Sequence, residues 1–179
     1  MPVIRVFLDT EFTCFENPKL ISLALVAETG QEFYAELTDG WSQRDCSHFV
    51  LDEVLPLLTV QPKDRVMRTE LKKRLIDWFE QLAAPPVLVQ IIFDASIDWH
   101  LLTETCGNLN TETLDIQPQW LEWPGNAMAR RFLDLQENHF RIHGQRHNAR
   151  SDAHGLRTAY LITHAEFSSP PTRRNARHE

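Results

Sequence analysis

The sequence predicts an α/β domain: a mixed sheet that opens as an antiparallel meander and is flanked by helices. Three observations carry this. The chain begins with apolar, β-branched runs separated only by short turns (Val3-Ile4-Arg5-Val6-Phe7-Leu8, then Leu20-Ile21-Ser22-Leu23-Ala24-Leu25-Val26-Ala27). Helix-period segments dominate from Arg65 onward. A continuous apolar run, Val87-Leu88-Val89-Gln90-Ile91-Ile92-Phe93, returns among those helices and suits a strand covered on both faces. Strands first, then strands alternating with helices, give a mixed sheet packed between helices.

Residues 3–9 form the first expected strand. Leu20–Ala27 is the second, and Glu28-Thr29-Gly30-Gln31 turns the chain into a third over residues 32–36, an antiparallel hairpin. A short helix is expected over 48–58, interrupted by Pro56. Residues 65–83 show an apolar stripe of Val66, Leu71, Leu75, Trp78, Phe79 and Leu82, with Lys72, Lys73, Asp77 and Glu80 facing away. Pro85-Pro86 ends that helix. After the Val87–Phe93 strand, a helix over 98–106 stops at Gly107. A short strand over 113–116, a tryptophan-bearing loop through Trp120 and Trp123, and helices over 127–140 and 151–164 complete the domain, 1–167. The last stretch, 168–179, carries Pro170-Pro171 with Arg173, Arg174 and Arg177 and is expected to be a flexible basic tail.

At 179 residues, with 42% hydrophobic and 24% charged side chains, the chain is an ordinary globular domain with room for a proper core. No apolar run approaches the roughly 20 residues of a membrane span. The start lacks the charged and long apolar regions of a secretion signal. Cys14, Cys46 and Cys106 are odd in number and lack metal-ligand spacing, so free thiols and a cytoplasmic location are expected. The formal net charge of −7 argues against bulk electrostatic binding of long nucleic acid. It leaves room for an acidic site that becomes cationic once divalent metal binds.

The candidate chemistry begins at Asp9 and Glu11. Side chains two apart on a strand point the same way, so these acids project together from the strand's C-terminal end. Side-by-side carboxylates repel unless a cation lies between them, and the C-terminal sheet edge is where α/β proteins place ligands. Asp94 and Asp98 follow the central strand. A helix-dipole role explains one acid there, and either could join the first pair. His147 and Asp152 stand five apart, which on a continuous helix places them on different faces. They converge only if His147 lies in the loop and Asp152 in the first turn, with Ser151 as the expected N-cap.

Asp-x-Glu on the first strand, an Asp after a middle strand and His-x-x-x-x-Asp at the last helix resemble the DEDDh 3′–5′ exonuclease superfamily, on an RNase H-like fold. Leu8-Asp9-Thr10-Glu11-Phe12 and His147-Asn148-Ala149-Arg150-Ser151-Asp152-Ala153 carry the similarity, which runs from about residue 3 to 164. The compact length and the hairpin resemble the small bacterial exoribonuclease-like branch. The family's middle motif has an Asn four residues before its catalytic Asp. Here Asp94 takes the Asn position, and that register favours Asp98 as the ligand.

The resemblance implies a metal-dependent 3′–5′ exonuclease releasing 5′-mononucleotides from single-stranded RNA or DNA 3′ ends, RNA favoured. Four carboxylates without thiolates make a hard oxygen site suited to Mg²⁺ or Mn²⁺, two ions per site. By resemblance, Asp9 bridges the metals, Glu11 and Asp152 hold the one carrying the attacking water, Asp98 supports the second, and His147 takes the water's proton. Phe12 and Phe15 are candidates for stacking on terminal bases, and Arg146 and Arg150 for meeting phosphates. The sequence leaves open a homodimer. It also leaves open a non-catalytic nucleic-acid-binding or scaffold protein on the same fold.

Overall fold

A computed structural model describes residues 1–123 and 125–168. The expected basic tail lies, from residue 169 on, outside the described residues. Six strands form one mixed sheet in the order β4-β3-β2-β1-β5-β6: β1 Val3–Phe12, β2 Leu20–Ala27, β3 Glu32–Leu37, β4 Arg65–Val66, β5 Val87–Phe93 and β6 Leu114–Trp120. The helices are α1 Arg68–Leu82, α2 Ser96–Cys106, α3 Asn126–His143 and α4 Ala149–Ser168. The predicted α/β class and the meander of β1, β2 and β3 are both present. Only β2 runs against its neighbours, while β1 lies parallel to β5, and β5 to β6.

Strand alternation divides the core between the two faces. Val6 and Leu8 point to one side, where they pack with Leu71, Leu75 and Phe79 of α1 and Leu101 and Leu102 of α2. Phe7 points to the other and meets Phe132 of α3 and Leu156 and Tyr160 of α4. Val6, Phe7 and Leu8 are all fully buried, and a large apolar side chain so placed is worth about 1.5–3 kcal/mol. This doubly covered strand fixes which way the residues after it must face.

α4 is held over the hairpin by more than apolar contact. Arg157 donates from Nε to the Ala27 carbonyl at 2.9 Å and from Nη2 to the Glu28 carbonyl at 2.7 Å. Gly155 lets α3 come close, since a Cβ there would lie 3.1 Å from Phe140 Cζ and 3.3 Å from His139 Cδ2.

Several element boundaries differ from expectation. Residues 65–83 are not one helix. Arg65 and Val66 add a two-residue strand to β3, and the helix starts at Arg68, whose N–H is capped by Asp39 Oδ1 at 2.7 Å. Both changes come from partners some thirty residues away in sequence, which periodicity does not register. The helix expected over 48–58 is a wide π-type turn, Val50–Val54, running into a 3-10 turn, Leu55–Leu57. Pro56 supplies no N–H, so a regular α-helix does not continue through it. β6 extends to Trp120, which was expected in a loop, because it pairs with β5 along its whole length to Phe93.

α4 begins at Ala149, not Ser151. Asn148 is the residue that caps it, its Oδ1 accepting the Ser151 N–H at 3.3 Å. Asn and Ser cap helices equally well, so the sequence did not discriminate between them. Among the described residues no helix is long and apolar enough to cross a membrane.

Candidate metal centre and cleft

β1 and β5 are adjacent and parallel, but the chain leaves them toward opposite edges of the sheet, to β2 and to β6. Such a reversal opens a crevice at the strands' C-terminal ends. Pairing between β1 and β5 stops at Phe7 with Ile92, and beyond it Asp9, Thr10, Glu11 and Phe12 of β1 line this crevice. Asp9 and Glu11 share Phe7's parity and therefore face α4. The ladder with β2 shifts register after Glu11, a bulge that ends regular pairing beside the second acid.

Asp152, in the first turn of α4, completes a triad. Carboxylate oxygens of Asp9, Glu11 and Asp152 lie within 4.8 Å of one another. One side of the Asp152 carboxylate is fixed by the backbone, with Oδ2 accepting the N–H groups of His147 at 2.9 Å and Asn148 at 3.2 Å. His147 has φ +66°, and this left-handed turn brings the two successive amides onto one anion. Two N–H donors on one oxygen orient the carboxylate toward the other two acids.

Asp98 arrives from the opposite face of the sheet, out of the first turn of α2, and is only 3% exposed. Its Oδ1 accepts two hydrogen bonds from Thr10, from the backbone N–H at 3.1 Å and the hydroxyl at 2.6 Å. Asp94 is exposed, and its Oδ2 accepts from Gln136 Nε2 at 3.3 Å. It edges a second hollow that also touches Asp9, Arg146, His147 and Asp152. With Asp98 buried and braced by Thr10 and Asp94 exposed at the rim, Asp98→Ala is expected to lose far more activity than Asp94→Ala. Steady-state rates of the two variants check this, and the reverse ranking would make Asp94 the ligand.

Burial and mutual repulsion shift these acids toward their protonated forms when no cation is bound. Asp9 is raised well above the usual carboxylate range by burial, then by Asp98, Asp152 and Glu11. Burial, then Asp152 and Asp98, push Glu11 up to about 8. Asp98 is pushed up to about 7 by burial, against the pull of the Thr10 hydroxyl. Asp152 is pushed up to about 6 by burial, against the His147 and Asn148 amides. All-oxygen donors facing one another at this spacing fit a hard divalent cation such as Mg²⁺ or Mn²⁺. The acid arrangement is an unfavourable one that a cation would relieve.

The acids floor a cleft of about 510 Å³. Phe12 and Phe15, packed edge to face at 5.1 Å, line one part of it, with Phe15 82% exposed. Phe49, 51% exposed, also lines it and sets its ring against the His147 imidazole at 4.8 Å, the planes nearly perpendicular. The structure thus brings Asp9, Glu11, Asp98, His147, Asp152, Phe12 and Phe15 to one cleft.

It does not bring Arg150 there. That guanidinium lies 4.2 Å over the Tyr34 ring and ion-pairs with Glu32 at 3.2 Å and Asp64 at 3.6 Å, tying α4 to β3 and the loop before β4. Arg146 borders the second hollow but is paired with Glu137 and sits over Phe140.

Three contributors escaped the sequence reading. Thr10 offered a signal, a hydroxyl between two acids and hence on the reverse face. Asn148 offered one too, a capping residue type beside the histidine. Phe49 offered none, since only the fold brings it to His147.

No family model matches the chain, and no curated protein matches it. Among solved structures it is similar to an exonuclease I from Methylocaldum szegediense, described as moderately thermophilic, with a TM-score of 0.48 and 13% identity. That match covers 94% of this chain and 41% of the other. It is similar to the same degree, TM-score 0.48 and 13% identity, to the zinc-bound complex of E. coli exonuclease I with single-stranded DNA, covering 96% of this chain and 42% of that one. The chain therefore spans about two fifths of the length of the structures it matches.

Proposed function

We propose that this chain is a metal-dependent 3′–5′ exonuclease acting on single-stranded nucleic acid, RNA favoured, with 5′-mononucleotides as product. The observation that carries the reading is the convergence of Asp9, Glu11 and Asp152 within 4.8 Å in a cleft that Asp98 and His147 also line. Asp9, Glu11, Asp98 and Asp152 would hold two Mg²⁺ or Mn²⁺ ions. Bound there, the ions supply charge neutralisation for the attacking and leaving oxygens of a phosphodiester.

The chain's own groups do the rest. Asp152, with Oδ2 held by two amides, presents its other oxygen to the site. An unprotonated ring nitrogen of His147 accepts a proton from the attacking water. The exposed faces of Phe12, Phe15 and Phe49 offer flat surfaces for unstacked terminal bases, worth about 1–3 kcal/mol per base. A cleft floored by acids attracts no polyanion until metal is bound, which is consistent with the net charge of −7.

The test uses single-stranded RNA and its DNA analogue, each labelled at the 5′ end and digested with Mg²⁺ or Mn²⁺. The expected result is a ladder shortening from the 3′ end, with labelled RNA consumed faster than DNA. Faster digestion of DNA would overturn the RNA preference alone. Metal-dependent binding of either strand without any shortening would favour a non-catalytic binding module and overturn the exonuclease assignment.

A further inference from the structure

The residue between the first two acids has work of its own. Peptide groups of β1 alternate between its neighbours. The Pro2 carbonyl accepts from Leu88 N–H on the β5 side, and the Arg5 carbonyl accepts from Glu28 N–H on the β2 side. Even-numbered residues of β1 therefore turn their peptide groups toward β5. By Thr10 that partner has gone, because the β1–β5 ladder ends at Phe7 and Ile92. A buried N–H at this point would be orphaned, at a cost of about 1–3 kcal/mol.

Asp98 fills the vacated position. Its Oδ1 accepts the Thr10 N–H at 3.1 Å, as a strand carbonyl would. The same oxygen accepts the Thr10 hydroxyl at 2.6 Å, because Thr10 shares the parity of Val6 and Leu8 and so faces α2. Among the described residues, no hydrogen bond reaches Asp98 Oδ2. Two donors on one oxygen of a nearly fully buried carboxylate fix its rotation and leave the other oxygen for the cleft.

The geometry points to Thr10 as a positioning residue that sets the orientation of Asp98 and thereby couples the middle acid to the Asp9–Glu11 strand. This rests on the reading of Asp98 as a metal ligand given above. Hydroxyl and amide donors behind metal-binding carboxylates aim them, and their loss typically costs about 10–100-fold in metal affinity or activity.

The test is Mn²⁺ binding by calorimetry on the full chain, compared among wild type, Thr10→Val and Thr10→Ser. Valine keeps the shape and the backbone N–H but removes the hydroxyl. Thr10→Val is expected to bind Mn²⁺ about 10–100-fold more weakly. Thr10→Ser, which restores a donor, is expected to match wild type. Turnover of a single strand should fall in Thr10→Val with KM for the strand unchanged.

Thr10→Ala serves as the second variant where the valine protein does not fold, and the same loss is expected. Equal Mn²⁺ affinity in the hydroxyl-free variant and wild type, even with a lowered Tm, would show that Thr10 only closes the gap in the sheet and would overturn the proposal. A wild-type protein that binds Mn²⁺ yet shortens no strand would overturn the nuclease reading alone, and the calorimetric comparison would still decide Thr10. Failure of wild type to bind Mn²⁺ would overturn both.

Discussion

Asp9→Asn is expected to abolish hydrolysis and, in the same protein without metal, to raise the Tm. The two effects share one cause. Asp9 sits among Asp98, Asp152 and Glu11, and burial and those neighbours hold it well above the usual carboxylate range. Glu11 is pushed up to about 8 in the same way. In the unfolded chain such acids ionise near pH 4.

The folded state therefore keeps protons that the unfolded state releases. The contribution of these acids to stability is fully present below about pH 4 and drains away as pH rises toward about 8, the Glu11 value. Metal-free wild type should melt progressively lower across that window, and Mn²⁺ at pH 8 should restore the loss by binding only the folded state. Removing one charge from the cluster relieves the same repulsion permanently. Asp9→Asn and Glu11→Gln should each raise the metal-free Tm at pH 8, by about 2–4 °C for every kcal/mol relieved in a domain of this size.

Neither variant should gain much from Mn²⁺, and neither should shorten a labelled strand. Scanning calorimetry at pH 5 and pH 8, with and without metal, checks the stability half. A purified Asp9→Asn protein with full nuclease activity would sink the assignment. A Tm indifferent to pH and to Mn²⁺ would mean that the acids are not the strained cluster described here.

How much of this was legible in the sequence depends on the range of the signal. The Asp9–Glu11 pair was readable because a strand has a period of two, and two residues suffice to place both acids on one side. The β1–β2–β3 meander was readable because its turns are short and its partners consecutive. Asp152 and His147 could be placed across a loop-to-helix boundary because five helical steps do not align them, although the boundary itself fell at Asn148.

What was not readable depended on distant partners. Arg65 and Val66 look like the start of α1 until β3 is set beside them. Arg150 looks like a phosphate ligand because it sits near the histidine in sequence. The helix turns it instead onto Tyr34, Glu32 and Asp64. Thr10 reaches Asp98 across 88 positions, and no local pattern announces a bond whose occasion is that a neighbouring strand has ended.

The backbone of His147 decides which substitutions isolate its side chain. With φ +66° it occupies a left-handed conformation that alanine tolerates poorly, and its N–H holds Asp152 Oδ2 at 2.9 Å. His147→Ala would thus confound loss of the imidazole with a shift of the Asp152 carboxylate. Gly and Asn adopt this conformation readily and retain the backbone donor, so His147→Gly and His147→Asn isolate the side chain.

If the ring takes the proton from the attacking water, both variants should bind Mn²⁺ as wild type does and turn over about 10²–10⁴-fold more slowly. Added imidazole should recover part of the rate in His147→Gly, whose cleft has room for it beside Phe49, and none in His147→Asn. A His147→Gly protein that cleaves at the wild-type rate across the pH range would show that His147 is not the base. The carboxylate of Asp94, on the hollow it shares with His147, would then be the next group to test.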